Sequence, residues 1–287
     1  AMRLGQSVRG FLPAALKAKV PERRAAGAWP RRAQARKVLL LEGCVQPAMA
    51  PGINAATARV LDAAGIECVL ARGQGCCGAV KFHLADSAGG LAQMRANVDA
   101  WWPHIGRGVE HGGVEAIVIN ASGCGAMVKD YGHLLQHDPA YADKAMRVVE
   151  LTRDIGEVVA DASEALAALL AARNLPRQPL AWHAPCTLQH GQRIRGTVEG
   201  LLAAAGFEPT PVRDAHLCCG SAGTYSILQP ALSERLRTNK LDCLLEGGAG
   251  MIASANIGCI THLQAGTGTP VRHWIELIDA RLGGQPV

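Results

Sequence analysis

Aromatic residues are scarce in this sequence: they make up 4% of its 287 residues, while glycine, alanine, leucine and valine are common. Close packing through small side chains is typical of layered α/β proteins. With 49% hydrophobic residues, the chain can bury a sizeable core in one large domain or two small ones.

Long apolar runs are also absent. None approaches the roughly 20 residues that a membrane-spanning helix needs, and the start of the sequence lacks the pattern of a secretory signal. We therefore expect a cytoplasmic protein whose ten cysteines are reduced. In that setting, metal binding or catalysis is favoured over structural disulfides.

Acidic residues are nearly missing from residues 1–37, where ten Lys and Arg stand against Glu22 alone, a charge of +9. The remaining residues carry 19 basic and 23 acidic side chains, so −4, which returns the net charge of +5. The basic character thus belongs to a leader, which indicates a solvated linker or, alternatively, peripheral contact with the inner face of the cytoplasmic membrane. No basic stripe is interleaved with aromatics, so we expect no nucleic acid partner.

What the sequence does have is Cys-Cys-Gly twice, at Cys76-Cys77-Gly78 and at Cys218-Cys219-Gly220. A single cysteine precedes each doublet by the same 32 residues, and another follows it after 47 residues in one half and 40 in the other. The sequence is therefore a duplication with four cysteines per repeat. The motif cysteines are Cys44, Cys76, Cys77 and Cys124 in the first half, and Cys186, Cys218, Cys219 and Cys259 in the second.

Short apolar strands alternate with helical stretches in both halves. We predict an α/β fold of two tandem, pseudo-twofold-related units, each with a parallel sheet of about four strands flanked by helices. In the first half the predicted strands include residues 38–43, 66–71, 115–123 and, as the fourth, MRVVEL at 146–151. The predicted boundaries are a leader at 1–37 and two domains at 38–175 and 176–287.

The cysteines of each repeat come just after the ends of three predicted strands. The carboxyl ends of parallel strands share one edge of a sheet, where ligand sites form. Thiolates in fours bind zinc or an iron–sulfur cluster. Adjacent cysteines point apart, which suits the separate irons of a cluster better than one small ion. Zinc and a redox-active vicinal dithiol remain as alternatives.

Longer motifs carry a resemblance to a known family. LEGCVQPAMAPGINAATARVLDAAG, ASGCGAMVKDYG, CTLQHGQRIRG, HLCCGSAGTY and NIGCITHL resemble the CCG cysteine-rich domains of heterodisulfide reductases and of several dehydrogenase iron–sulfur subunits. The motifs also closely resemble the carboxyl-terminal double domain of the iron–sulfur subunits of bacterial glycolate oxidases (glycolate dehydrogenases), and this likeness covers the chain from about residue 35.

The resemblance implies a subunit of an oxidoreductase with one iron–sulfur cluster per repeat, of the 4Fe–4S kind, bound by the eight motif cysteines. Flavin-containing partner subunits, which hold FAD, would oxidise glycolate to glyoxylate and pass electrons through this chain toward a quinone-linked acceptor. A heterodisulfide-reductase-like thiol/disulfide subunit and a zinc-bound or metal-free docking module are the alternatives. We expect the chain alone to be inactive and assign it no catalytic residue.

Two departures from the family pattern stand out. The fullest motif ends in C-x-x-C. Here the last motif cysteine of each repeat, Cys124 or Cys259, has Met127 or His262 at the place of the second cysteine of that ending. The ferredoxin-like domain that usually precedes the double domain, with its C-x₂-C-x₂-C-x₃-C-P runs, has no counterpart in this sequence and is expected to be missing.

Three histidines are candidates to interact with the cysteine sulfurs. His183 precedes Cys186 by three residues, His216 precedes Cys218 by two, and His262 follows Cys259 by three. Cys68 and Cys243 have no counterpart in the other repeat, so we expect them to be small hydrophobic residues of the core.

Overall fold

The first half of the chain forms one sheet of four parallel strands in the order β2-β1-β3-β4. A computed structural model of the chain describes residues 2–13, 22–106, 108–173 and 175–285. The strands of this sheet are β1 Arg36–Leu40, β2 Ile66–Val69, β3 Ala116–Ile119 and β4 Thr152–Asp154. Val38, Leu39 and Leu40 are wholly buried, as expected for a central parallel strand covered on both faces.

The second half repeats this topology in the order β6-β5-β7-β8, again with parallel pairs throughout. Its strands are β5 Gln178–His183, β6 Phe207–Thr210, β7 Ile252–Ser254 and β8 Val271–His273. Two four-stranded parallel sheets flanked by helices confirm the predicted fold class.

Helices connect and cover the strands of both sheets. In the first half they are α1 Met2–Ser7, α2 Gln46–Met49, α3 Pro51–Ala63, α4 Ala79–His83, α5 Ser87–Ile105, α6 Ser122–Lys129, α7 Tyr131–Leu134, α8 Ala142–Leu151, α9 Ile155–Asp161 and α10 Ser163–Ala171. In the second half they are α11 Thr197–Ala204, α12 Tyr225–Leu228, α13 Pro230–Leu245, α14 Ile257–Gln264 and α15 Trp274–Arg281. A π-helical turn, Thr187–Gly191, follows Cys186. Among the described residues, no helix combines the length and apolar character needed to span a membrane.

The predicted fourth strand, MRVVEL, is wrong. These residues belong to α8, where Ala145 and Val148 face the core while Met146 is half exposed. Buried positions three residues apart match the periodicity of a helix. This pattern outweighs the preference of the two valines for strands. The strand is the next segment, β4, which pairs with β3.

The two halves pack through a reciprocal pair of helix contacts. Helix α3, which follows β1, packs on α15, which follows β8; in the same way α11, which follows β5, packs on α9, which follows β4. One cluster of buried side chains runs through both halves, from Val38 and Ile53 in the first to Ile252 and Trp274 in the second. The sheets therefore share a hydrophobic core.

The helix that follows the fourth strand of each half, α9 or α15, begins with a capping box on that strand. Asp154 accepts from the backbone N–H of Gly156 while Glu157 accepts from the N–H of Asp154. His273 and Glu276 make the equivalent pair at α15. The equivalence of these caps extends the internal duplication beyond the cysteines.

The predicted leader has no regular strand between residues 22 and 35, and its Trp29 packs against the shared core. The guanidinium of Arg59 donates to the carbonyl of Ala28 at 2.8 Å. Lys17 and Lys19 of the leader lie outside the described residues, as do the last two residues of the second predicted domain. The domain boundaries stay a prediction.

Candidate functional site

Each Cys-Cys-Gly doublet forms the turn between a strand end and a helix. Gly78 and Gly220 have φ of +91° and +90°, in the left-handed region that favours glycine. A Cβ on Gly78 would lie 2.9 Å from the carbonyl oxygen of Gly90, and one on Gly220 would collide with the carbonyl oxygen of Ser233. The glycine of the motif is therefore required by both the backbone conformation and the helix packed against the turn.

Buried polar side chains hold the first turn in place. Asn97, on α5, accepts from the N–H of Gly75 and donates to the carbonyl of Cys76, both at 2.8 Å. Tyr131 donates from its hydroxyl to the carbonyl of Cys77 at 2.8 Å. Because these two side chains are almost wholly buried, they fix the backbone that presents the two sulfurs.

The four motif thiols of the first half contact one another in series. Cys44 contacts Cys76, Cys76 contacts Cys77, and Cys77 contacts Cys124. Hydrogen bonds from the thiols of Cys44 and Cys77 lower the pKa of Cys76 to about 2. The same contacts, with burial, raise the pKa of Cys44. The set therefore holds fewer than four negative charges unless a cation compensates them.

The second half repeats this series from Cys186 through Cys218 and Cys219 to Cys259. Hydrogen bonds from the thiols of Cys186 and Cys219 lower the pKa of Cys218 to about 2. Two N–H groups also donate to sulfur: the backbone N–H of Gly220 to Cys218 at 3.3 Å, and the amide of Asn256 to Cys259 at 3.5 Å. These donors favour the thiolate forms.

The last motif cysteine of each half, which follows β3 or β7, lies in the first turn of a helix. Cys124 is the third residue of α6 and Cys259 the third residue of α14. The first turn of a helix has N–H groups that no carbonyl of the same helix accepts, so both cysteines lie where such donors are available.

All eight motif cysteines line one cavity of about 470 Å³ between the halves. The carboxyl ends of both sheets face it, and apolar side chains, including Leu41, Val45, Val80, Ile119 and Ile257, form much of its remaining wall. Backbone and side chains join the halves beside it: the N–H of Ser122 donates to the carbonyl of Ala255 at 3.0 Å, and the hydroxyl of Ser122 lies 2.8 Å from that of Thr187. The two cysteine sets therefore open onto a common space.

The three candidate histidines occupy different environments. His183 is buried and lines the cavity, and one ring nitrogen lies within 4.8 Å of the sulfurs of Cys219 and Cys259. Burial lowers the pKa of His183 to about 3, so its imidazole is neutral. The side chain of His216 is exposed and does not line the cavity. His262 contacts Ser233, whose hydroxyl donates to the carbonyl of Gly220, so it reaches the second turn only indirectly.

Cys68 and Cys243 do not line the cavity. Cys68 lies on β2 against the shared core, and burial raises its pKa to about 12. Cys243 is a buried residue of α13. That the eight motif cysteines bind metal, and that Cys68 and Cys243 do not, remains a prediction.

Sequence reasoning missed the polar residues that hold the two turns: Asn97, Tyr131 and Lys240. The ammonium group of Lys240, which is 3% exposed, donates to the carbonyl oxygens of Asp214 and Ala215 at 2.7 and 3.3 Å, just before the second doublet. Asn97 sits on the same face of α5 as the buried Met94, Val98 and Trp101. A polar residue within such an apolar helix face is the feature of the sequence that could have identified Asn97.

The cysteine-rich domain family CCG matches this chain twice, over residues 38–129 and 180–264. The chain is 48% identical over 281 residues to the glycolate oxidase iron–sulfur subunit of Escherichia coli K12, covering 98% of this chain and 67% of that protein. It is 29% identical over 232 residues to a probable glycolate oxidase iron–sulfur subunit of Bacillus subtilis 168, covering 80% of this chain and 50% of that protein. It is 25% identical over 256 residues to lactate utilization protein A of Bacillus licheniformis, covering 85% of this chain and all of that protein.

Proposed function

Because the chain belongs to the CCG cysteine-rich domain family, with both copies of the domain present, we propose that it is the electron-transferring part of a glycolate oxidase iron–sulfur subunit. In this proposal each half binds one cluster of the 4Fe–4S kind through its four motif cysteines. The 48% identity to the Escherichia coli subunit, along nearly the whole chain, supports the assignment to glycolate oxidation over that to lactate.

The observation that carries the proposal is the convergence of eight cysteines on one cavity. Cysteines 32 or more residues apart in the sequence come into contact at the ends of parallel strands, twice, and both sets face the same space. Two cysteine sets that line one cavity would, if each binds a cluster, be suited to passing electrons between them.

The spacing of the first set favours a cluster over zinc. Ligands of one tetrahedral ion all lie close to one another. Among the described residues, however, no three of the first-half sulfurs come within 4.8 Å of each other. Their serial contacts spread the sulfurs around a larger volume, which fits a group with several irons. Among the described residues, no three of the second-half sulfurs come within 4.8 Å of each other either; the group found there joins a ring nitrogen of His183 to the sulfurs of Cys219 and Cys259.

The chain's own residues would bind the clusters and control their surroundings. A bound iron–sulfur cluster supplies one-electron transfer at a potential set by its hydrogen bonds and exposure. Gly220 and Asn256 are placed to donate N–H groups to sulfur, while Asn97 and Tyr131 keep the first doublet in position. The apolar wall of the cavity, with Val80 and Ile257, limits the access of water.

Glycolate oxidation itself belongs, in this proposal, to flavin-containing partner subunits. FAD on those subunits would supply the chemistry that removes two electrons and two protons from glycolate to give glyoxylate, and this chain would carry the electrons onward one at a time to a quinone-linked acceptor. A ferredoxin-like domain, whose cysteine run is absent from these 287 residues, would complete the path. We further propose a cytoplasmic location with peripheral contact between the inner membrane surface and exposed leader residues such as Arg23, Arg24, Arg31 and Arg32.

Dye reduction by the anaerobically reconstituted chain tests this division of labour. We expect no glycolate-dependent reduction by the chain alone and reduction once flavin subunits and a ferredoxin-like domain are added. L-lactate is the control substrate. Turnover of glycolate by the chain alone, or no iron and sulfide in the reconstituted chain, would contradict the proposal.

A further inference from the structure

The two cysteine sites differ at a pair of residues that have the same places in each repeat. His183 lies three residues before Cys186, and Ser254 lies five residues before Cys259. At the same offsets from Cys44 and Cys124, the first half has Leu41 and Ile119. His183 and Ser254 lie opposite each other on the paired strands β5 and β7. Leu41, Ile119 and His183 line the cavity, whereas Ser254 does not. The second half thus has a buried polar pair where the first has an apolar pair.

The polar pair leaves one ring nitrogen of His183 without a partner. Nδ1 lies 2.9 Å from the hydroxyl of Ser254. Nε2 is fully buried and has no hydrogen-bond partner among the described residues. A buried polar atom without a partner is costly, and such atoms call for an explanation such as an ion that belongs there. The sulfurs of Cys219 and Cys259 lie within 4.8 Å of a ring nitrogen of His183, so a group bound by these cysteines would be within its reach.

From this geometry we propose that His183 is a nitrogen ligand to the metal centre of the second half, and that the first half, with Leu41, has thiolate ligands only. Metal-binding histidines usually donate the other ring N–H to a fixed acceptor, which sets the tautomer. Ser254 is placed to accept from Nδ1, which leaves the lone pair of Nε2 free for iron. The inference rests on the proposed iron–sulfur function.

The difference in ligands gives the two centres different reduction potentials. A neutral imidazole adds no negative charge to the centre, and histidine ligands accompany higher reduction potentials among iron–sulfur centres. Lys240 acts in the same direction, because its buried ammonium group interacts with Cys186 and Cys219. The lysine that interacts with the first set, Lys81, is exposed and paired with Asp86. The second centre therefore has the higher potential and receives electrons from the first.

Pulsed electron paramagnetic resonance of the full reconstituted chain, labelled with ¹⁵N-histidine, tests the ligand directly. We expect a strong ¹⁵N coupling from one of the two centres, and its loss in the His183→Leu/Ser254→Ile double variant, which copies the first half. His183→Gln is the second variant, because it can keep a hydrogen bond to Ser254 but supplies no ring nitrogen. His216→Leu is the matched control and should keep the coupling.

A redox titration of the same samples tests the consequence. The wild-type chain should show two separate midpoint potentials, and the double variant should lower the higher one toward the other. Iron in both halves without a ¹⁵N coupling, or two potentials that are unchanged in both variants, would overturn the inference while leaving the proposed function intact. A chain that takes up no iron would overturn the proposed function, and the inference with it.

Discussion

At the residue scale, the repeated Cys-Cys-Gly is explained by two requirements that meet at one turn. The sequence predicts that adjacent cysteines point apart, but the two thiols of each doublet contact one another. The glycine adopts a left-handed conformation against a helix. The spacing of the cysteines in the sequence predicts that they form two sites. It does not predict Asn97, Tyr131 or Lys240, because their roles depend on which helix packs over the turn.

The first prediction concerns the glycine of the second doublet. Gly220→Ala should reduce the free energy of unfolding of the metal-free chain by roughly 1–3 kcal/mol, because Ala is strained at positive φ and its Cβ meets the carbonyl of Ser233. Urea denaturation measures the change. Gly200→Ala, in α11 with no atom within 4 Å of the added Cβ, is the control and should be neutral or stabilising. Equal effects of the two substitutions would contradict this account of the turn.

The second prediction separates the motif cysteines from the others. Cys77→Ser should lose the iron of the first half and Cys219→Ser that of the second, because each removes one of four ligands. Cys68→Ser, which alters a cysteine outside the cavity, should keep both. Iron and sulfide analysis after anaerobic reconstitution decides the matter. Full iron in either motif variant would remove that doublet from the ligand set.

At the element scale, strand and helix alternation predicts both sheets, yet it places the fourth strand at MRVVEL, which is helical. The error arises because a three-residue strand such as Thr152–Asp154 is too short to have a pattern of its own. The cap at His273 is not predicted either, since a histidine is not a typical helix cap. Local preference alone identifies long elements better than such short ones.

The third prediction follows from the cap at His273. Nδ1 accepts from the N–H of Ile275 and Nε2 donates to the carbonyl of Asn120 in the other half, so only the neutral ring makes both bonds. Burial lowers the pKa of His273 to about 3, below the roughly 6.5 of an unfolded histidine. The unfolded chain then binds more protons, and stability that is present above about pH 6.5 is lost as the pH falls toward 3.

Urea denaturation of the metal-free chain at several pH values measures this loss. We expect the His273→Asn variant to be less stable at neutral pH but to lose less stability on acidification, because its cap does not titrate. The remaining slope belongs to other groups, including buried His183. Exposed His133→Asn is the control. The same pH slope in wild type and His273→Asn would count against the neutral cap.

At the scale of the whole molecule, the duplication produces one core and one cavity. Repeat spacing predicts two sites, but it cannot predict that they face each other, because that depends on how α3 packs on α15 and α9 on α11. One such contact, between Arg59 and Asp279, joins residues more than 200 positions apart in the sequence. The relation between the sites is therefore a property of the fold alone.

The fourth prediction tests the contact between the halves. Arg59 donates two hydrogen bonds to Asp279, at 2.6 and 2.9 Å, and Asp279 is almost fully buried. Arg59→Met should destabilise the chain by roughly 3–5 kcal/mol, because it leaves a buried carboxylate unpaired. Arg59→Met/Asp279→Leu should recover most of that loss. A double variant as unstable as the single one would show that the ion pair does not connect the halves in this way.

The most direct test of the central claim is the metal content and magnetic behaviour of the anaerobically reconstituted chain. Two iron–sulfur centres facing one cavity of about 470 Å³ should give iron and acid-labile sulfide in equal amounts, and two reduced centres whose spectra are split by mutual interaction. The splitting should vanish in Cys77→Ser and in Cys219→Ser, each of which leaves one centre. Zinc without sulfide, or two centres with no magnetic interaction, would contradict the claim.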